Sequence, residues 1–129
     1  MAKIDIDLVW SKGDVVDGRN PEVWRLDCCG ALINRMKYND RESPYGWEVD
    51  HVVPFALLKE KGVCDDDINI LDNLRPIHCQ NNVSKAQDYP VYKSAVIYQN
   101  GKNVPSSGYF EVNKSLQHKL NLLFQKYGI

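Results

Sequence analysis

No apolar run in the 129-residue chain approaches the ~20 residues that a membrane-spanning helix needs. The opening MAKIDIDLVW alternates and carries acids, so it does not read as a secretory leader. There is no Cys-x-x-Cys among Cys28, Cys29, Cys64 and Cys79, and the adjacent Cys28 and Cys29 are poorly placed to bridge each other. Reduced, mostly buried thiols are expected, rather than a disulfide framework or a four-ligand zinc site. Repeats and low-complexity linkers are also missing. These absences leave one cytoplasmic domain spanning 1–129, long enough for a single hydrophobic core.

Net charge is small as well, at −1, which gives no support to general nucleic-acid binding. Its distribution is uneven. Residues 91–129 hold five lysines against one acid, hence +4, which leaves −5 for residues 1–90. The acids cluster at Glu60, Asp65, Asp66, Asp67 and Asp72. A basic C-terminal segment of this kind is either a surface for a polyanion or plain solvated surface.

Apolar alternation suggests a short strand over 3–10. Asn20-Pro21-Glu22 has the form of a helix start, with a capping side chain, Pro in first position and an acid in the first turn. Residues 31–35 and Gly46 to Val53 (GWEVDHVV) read as two strands of a hairpin with a long loop. Phe55 to Lys61 reads as a short helix, 63–73 as an acidic loop, and 77–87 as a helix. Ser94 to Val112 suggests a hairpin turning at Asn100-Gly101. A final helix is expected after Asn113, with Leu116, Leu120, Leu123 and Tyr127 on one face and Gly128 as its stop.

Chemistry concentrates in three stretches. Asp50 and His51 sit side by side in a strand, where neighbours point to opposite faces. Asp72-Asn73-Leu74-Arg75-Pro76 follows after a long segment. Then comes His78-Cys79-Gln80-Asn81-Asn82-Val83-Ser84-Lys85. An imidazole with an ordinary pKa near ~6.5 can take a proton from water at working pH. An Asp carboxylate and an Asn carbonyl are oxygen donors that suit a hard divalent cation.

The order strand with Asp-His, loop with Asn-Leu, helix with Asn-x-x-Lys resembles the HNH endonucleases. The resemblance extends to Arg25-Leu26-Asp27, Gly30-Ala31, Ile33, Ser43, Tyr45-Gly46-Trp47 and Pro54, and covers roughly 20–88. No part of it reaches 89–129. It implies an α+β fold with a ββα-metal (His-Me finger) core, flanking short helices, and a C-terminal hairpin plus helix.

The function implied is metal-dependent hydrolysis of phosphodiester bonds in DNA, most naturally double-stranded. In that reading His51 is the general base, and Asp50 and Asn82 hold one divalent ion, Mg2+ by default, with Mn2+, Ni2+ or Zn2+ as alternatives. Asn73 organises the loop by hydrogen bonds and helps orient His51. Arg75 and Lys85 contact substrate phosphate. His78, four residues before Asn82, is open as an extra ligand, a substrate contact or a packing group. His118 reads as surface.

Two departures matter, and one is the long, partly helical segment between His51 and Asn73, which either shapes substrate access or completes the core. Many family members hold a structural zinc with paired cysteines, but here positions 78 and 81 are His and Asn, so packing is expected to replace that zinc. The rival reading is a non-cutting HNH-like module that binds nucleic acid or protein. A toxin countered by an inhibitor protein would share the chemistry and change the partner.

Overall fold

The computed structural model describes residues 3–128. It is an α+β fold assembled from small antiparallel sheets and short helices. Its N-terminal element is helix α1, Ile6–Trp10, where a strand was expected. Asp5 decides this: its side chain accepts from Asp7 N at 3.1 Å and Leu8 N at 3.2 Å, a helix cap. The spacing of Ile6, Val9 and Trp10 then turns one face inward, against Ile33, Trp47 and Leu74.

Strands β1 (Asp14–Val15), β2 (Trp24–Leu26) and β3 (Leu32–Asn34) form a three-stranded sheet in that order. The helix expected from Asn20 is therefore only a turn. Asn20 Oδ1 does accept from Glu22 N at 3.0 Å, as a cap would. Three residues cannot sustain a helix, and pairing of Trp24 with Asn34 takes the chain into the sheet instead.

Strand β4, Trp47–His51, pairs with β5, Leu74–His78, and not with residues 31–35. The register sets Trp47 opposite His78 and His51 opposite Leu74. Strand β5 was hidden by Pro76, which cannot donate to a ladder; the sheet has only these two strands, so Pro76 is tolerated. Helix α4, Cys79–Lys85, follows β5 at once and is shorter than expected because His78 and Ile77 belong to the strand. Gly46 permits the tight entry to β4: a Cβ there would lie 1.9 Å from Asp40 O.

The loop between β4 and β5 carries two helices, α2 (Phe55–Glu60) and α3 (Asp65–Ile68). The first was expected; the second lies in the stretch read as an acidic loop. Beyond α4, β6 (Val91–Lys93) pairs with β9 (Tyr109–Glu111), enclosing the hairpin of β7 (Val96–Gln99) and β8 (Lys102–Pro105). That hairpin turns at Asn100 and Gly101, with φ of 53° and 86°, the paired positive values of a tight hairpin turn. Helix α5, Lys114–Phe124, starts where expected, with Asn113 accepting from Leu116 N at 2.8 Å.

The core has two parts. Cys29, Val52, Val53, Leu58, Ile68, Leu120 and Phe124 form the larger cluster. Trp10, Ile33, Trp47 and Leu74 belong to the other. The C-terminal segment is thus structural: Leu120 and Phe124 are buried in the main core. Among the described residues, no helix is long and apolar enough to cross a membrane.

Candidate active site

Asp50 and His51 do diverge. Asp50 shares the face of Glu48, and both carboxylates meet α4: Glu48 Oε1 accepts from Asn82 Nδ2 at 2.8 Å, and Asp50 Oδ1 lies 3.4 Å from Lys85 Nζ. His51 turns instead toward the loop between β4 and β5. Its Nε2 is 2.7 Å from Asn69 Oδ1, and its ring meets Phe55 edge-on at 5.5 Å.

Asp50 is almost closed off, with 4% of its side chain exposed, and it holds two cations. Arg75 Nε donates to Oδ2 at 2.9 Å, and Lys85 Nζ approaches Oδ1. Arg75 and Lys85 were expected at substrate phosphate; both point inward. Lys85 is 1% exposed and also donates to His51 O at 3.2 Å. Burial pushes the Lys85 ammonium below its ordinary pKa, and the Asp50 charge opposes that shift. The Arg75 guanidinium lies 5.0 Å from the Tyr92 ring, and its Nη2 is buried without a hydrogen-bond partner. The physical reason is simple. Long basic side chains reach a surface phosphate only if no nearer anion claims them, and here a buried carboxylate does.

The expected cation pair is therefore not assembled. The Asp50 oxygens are engaged by Arg75 and Lys85, while the Asn82 amide is turned to Glu48. Glu48 in turn is gripped by Arg41, with Nε at 2.5 Å and Nη2 at 3.0 Å. Burial raises the Glu48 carboxyl, but hydrogen bonds from Arg41 and Asn82 outweigh it and hold the group below its ordinary value. As they stand, Asp50 and Asn82 do not fit a shared cation.

Asn73 is fully buried and knits the loop. Its Oδ1 accepts from Val53 N at 2.8 Å, and its Nδ2 donates to Val53 O at 3.2 Å and Ile68 O at 3.1 Å. Its backbone O also accepts from Val52 N at 2.8 Å. The loop-organising role is as expected. The direct contact with His51 is not: Asn73 acts on the backbone two residues beyond, and Asn69 touches the imidazole.

His78 is not a free ligand. It is 1% exposed; its Nδ1 accepts from Gln80 N at 3.0 Å and its Nε2 donates to Pro44 O at 2.8 Å. It caps α4, so both ring nitrogens are occupied. Asn81 points away from Asn82, as helix geometry requires. Its Oδ1 accepts from Ala95 N at 2.7 Å and Val96 N at 2.9 Å, and its Nδ2 donates to Val96 O and Asp27 Oδ2, both at 3.0 Å.

Asp27 is the hub behind α4. Oδ1 accepts from Cys29 N and Ala31 N, and Oδ2 from His78 N and Asn81 Nδ2, at 2.8–3.0 Å. Burial pushes its carboxyl upward, against those four donors. Donor atoms of Asp27, Cys28 and Cys29 lie within 4.8 Å of one another. The Asp27 oxygens are saturated by N–H groups, which leaves that carboxylate unavailable to an ion. Burial also pushes the Cys79 thiol up to about 12, so it is an inert, protonated group.

A cleft of about 410 Å³ opens beside this region, lined in part by Lys12, Cys28, Asp72, Arg75, Tyr92 and Lys119. Neither Asp50 nor His51 lines it. The basic C-terminal segment is partly self-neutralised: Lys119 lies 3.2 Å from Asp72, Lys126 3.7 Å from Asp67, and Lys114 3.0 Å from Glu111.

The chain matches no family model, no curated protein and no solved structure. Sequence reasoning missed Glu48 and Asn69. Glu48 was detectable, being two residues before Asp50 and hence on its face. Asn69 carried no signal, since its reach to His51 depends on how the loop folds.

Proposed function

We propose that the protein hydrolyses phosphodiester bonds in DNA, as a nuclease of the HNH kind built on a ββα unit. The single observation that carries this reading is His51. It sits at the end of β4, one ring nitrogen is anchored by Asn69, and the other has no partner among the described residues. Such an imidazole can take a proton from water. The strand–strand–helix order of β4, β5 and α4 is consistent with it. A divalent cation would supply charge for the pentacovalent transition state. Asp50 and Asn82, held by Arg75, Lys85 and Glu48, take no part in it as they stand.

A second reading, a module that binds nucleic acid or protein without cutting, is favoured by one specific contact set. Asp50 is sealed by Arg75 and Lys85, as suits a structural anion.

One assay separates the two. Plasmid DNA and RNA are incubated with the protein and Mg2+, Mn2+ or Ni2+, beside His51→Ala and an EDTA control. The nuclease reading expects cleavage by wild type, abolished by EDTA and by His51→Ala. No cleavage by wild type with any metal removes it. Equal cleavage by both proteins removes His51 as the base.

A further inference from the structure

We infer that Asn69 is the positioning residue for His51, and that it leaves Nδ1 as the nitrogen that accepts a proton. The geometric part stands alone; its catalytic consequence rests on the nuclease reading above. Asn69 Oδ1 lies 2.7 Å from His51 Nε2. An amide oxygen can only accept, so the hydrogen of the neutral ring sits on Nε2. The lone pair is then on Nδ1, which no described group engages. The edge-on contact with Phe55, at 68° between planes, restricts ring rotation.

Asn69 is itself held from several sides. Its backbone N–H donates to Asp65 O at 2.9 Å, closing α3. The preceding carbonyl, Ile68 O, accepts from Asn73 Nδ2 at 3.1 Å. Two residues before it, Asp67 accepts from Tyr127 OH at 2.7 Å; three residues after it, Asp72 pairs with Lys119. The C-terminal segment therefore braces the turn that aims the amide. His78 provides the contrast: it has the same tautomer, yet neither of its ring nitrogens is free.

The tautomer follows from the amide oxygen facing the ring, and a reversed amide would put the hydrogen on Nδ1. Long-range proton–nitrogen correlation spectra report the tautomer directly. They are recorded at alkaline pH on wild type, Asn69→Ala and Asn69→Asp. Wild type is expected to show His51 protonated on Nε2. Asn69→Ala should relax toward the mixture of a free histidine ring, with a measurable Nδ1-protonated share, while Asn69→Asp, which keeps an acceptor, should hold the wild-type state. His78 signals should be unchanged throughout and serve as the folding reporter.

Protonation of His51 on Nδ1 in wild type overturns the proposal. So does an unchanged His51 tautomer in Asn69→Ala with His78 signals intact. If Asn69→Ala does not fold, Asn69→Ser, whose hydroxyl ends one bond short of the amide oxygen, takes its place with the same expected outcome. In cleavage, Asn69→Ala should lower kcat at least ~10-fold with little change in KM, and Asn69→Asp should restore part of it. A protein that shows the expected tautomer but cuts nothing supports the role of Asn69 and removes the nuclease reading.

Discussion

Asp50 on β4 and Lys85 on α4 meet inside the protein, with 4% and 1% of their side chains exposed and 3.4 Å between them. Together with Arg75 they form a buried three-charge cluster whose only anion is Asp50. Removing that anion leaves two buried cations without a counter-charge. Asp50→Ala should therefore cost ~3–5 kcal/mol of stability, independent of any catalytic role. Lys85→Met, which keeps the stem packed and leaves the Arg75 bond, should cost less. Urea unfolding measures both. A loss for Asp50→Ala within the scatter of surface substitutions would show that the cluster does not form in solution.

The neighbours Asn81 and Asn82 should behave differently. Asn81→Ala strips partners from Ala95 N, Val96 N and Val96 O, all at the buried junction of α4 and β7, and should cost ~2–4 kcal/mol. Asn82→Ala loses one bond to Glu48 and should cost at most ~1 kcal/mol. Equal losses in thermal or urea unfolding would contradict the placement of Asn81 as the structural one.

Acid stability should report on Glu48. Its folded pKa is held below the unfolded value of about 4.3. A depressed carboxylate contributes stability that is fully present above the unfolded pKa and is lost as pH falls through the folded one. Glu48→Gln should therefore flatten the acid limb below about pH 4.3, while leaving the slope near neutrality unchanged. Unfolding midpoints measured across that range test it; an acid limb identical to wild type would contradict the Arg41–Glu48–Asn82 arrangement.

The last helix should prove to be core first and charged surface second. Phe124 is 1% exposed within the main cluster, so Phe124→Ala should cost ~3–5 kcal/mol. Lys119→Ala removes one exposed pair and should cost well under ~1 kcal/mol. Deleting 91–129 should unfold the protein, which circular dichroism would show. A folded truncated chain would mean that Leu120 and Phe124 are not part of one cooperative core.

Much of the local structure was legible. Asn113 announced α5, Asn100-Gly101 the hairpin turn, and Phe55 to Lys61 the helix α2, because each is governed by capping, turn chemistry or short-range periodicity. Two of the errors have a local cause. At Asp5 and Asn20 similar capping signals led to different outcomes, since a cap permits a helix but burial of the following residues decides whether it forms. At Pro76 a local rule against strands was overridden by a ladder that needs no donor there.

For the candidate site, the chain alone determined which groups are present. It set Asp50 and His51 on opposite faces of a strand, and Asn81 and Asn82 on different faces of a helix, because those directions follow from backbone geometry. Tertiary structure decided who meets whom. Folding brought Lys85 and Arg75 to Asp50, Glu48 to Asn82, and Asn69 to His51, across separations of 35, 25, 34 and 18 residues. Charge and hydrogen-bonding capacity are properties of single residues. Their partners are chosen by the competition for burial among all of them at once, and no local pattern records that choice.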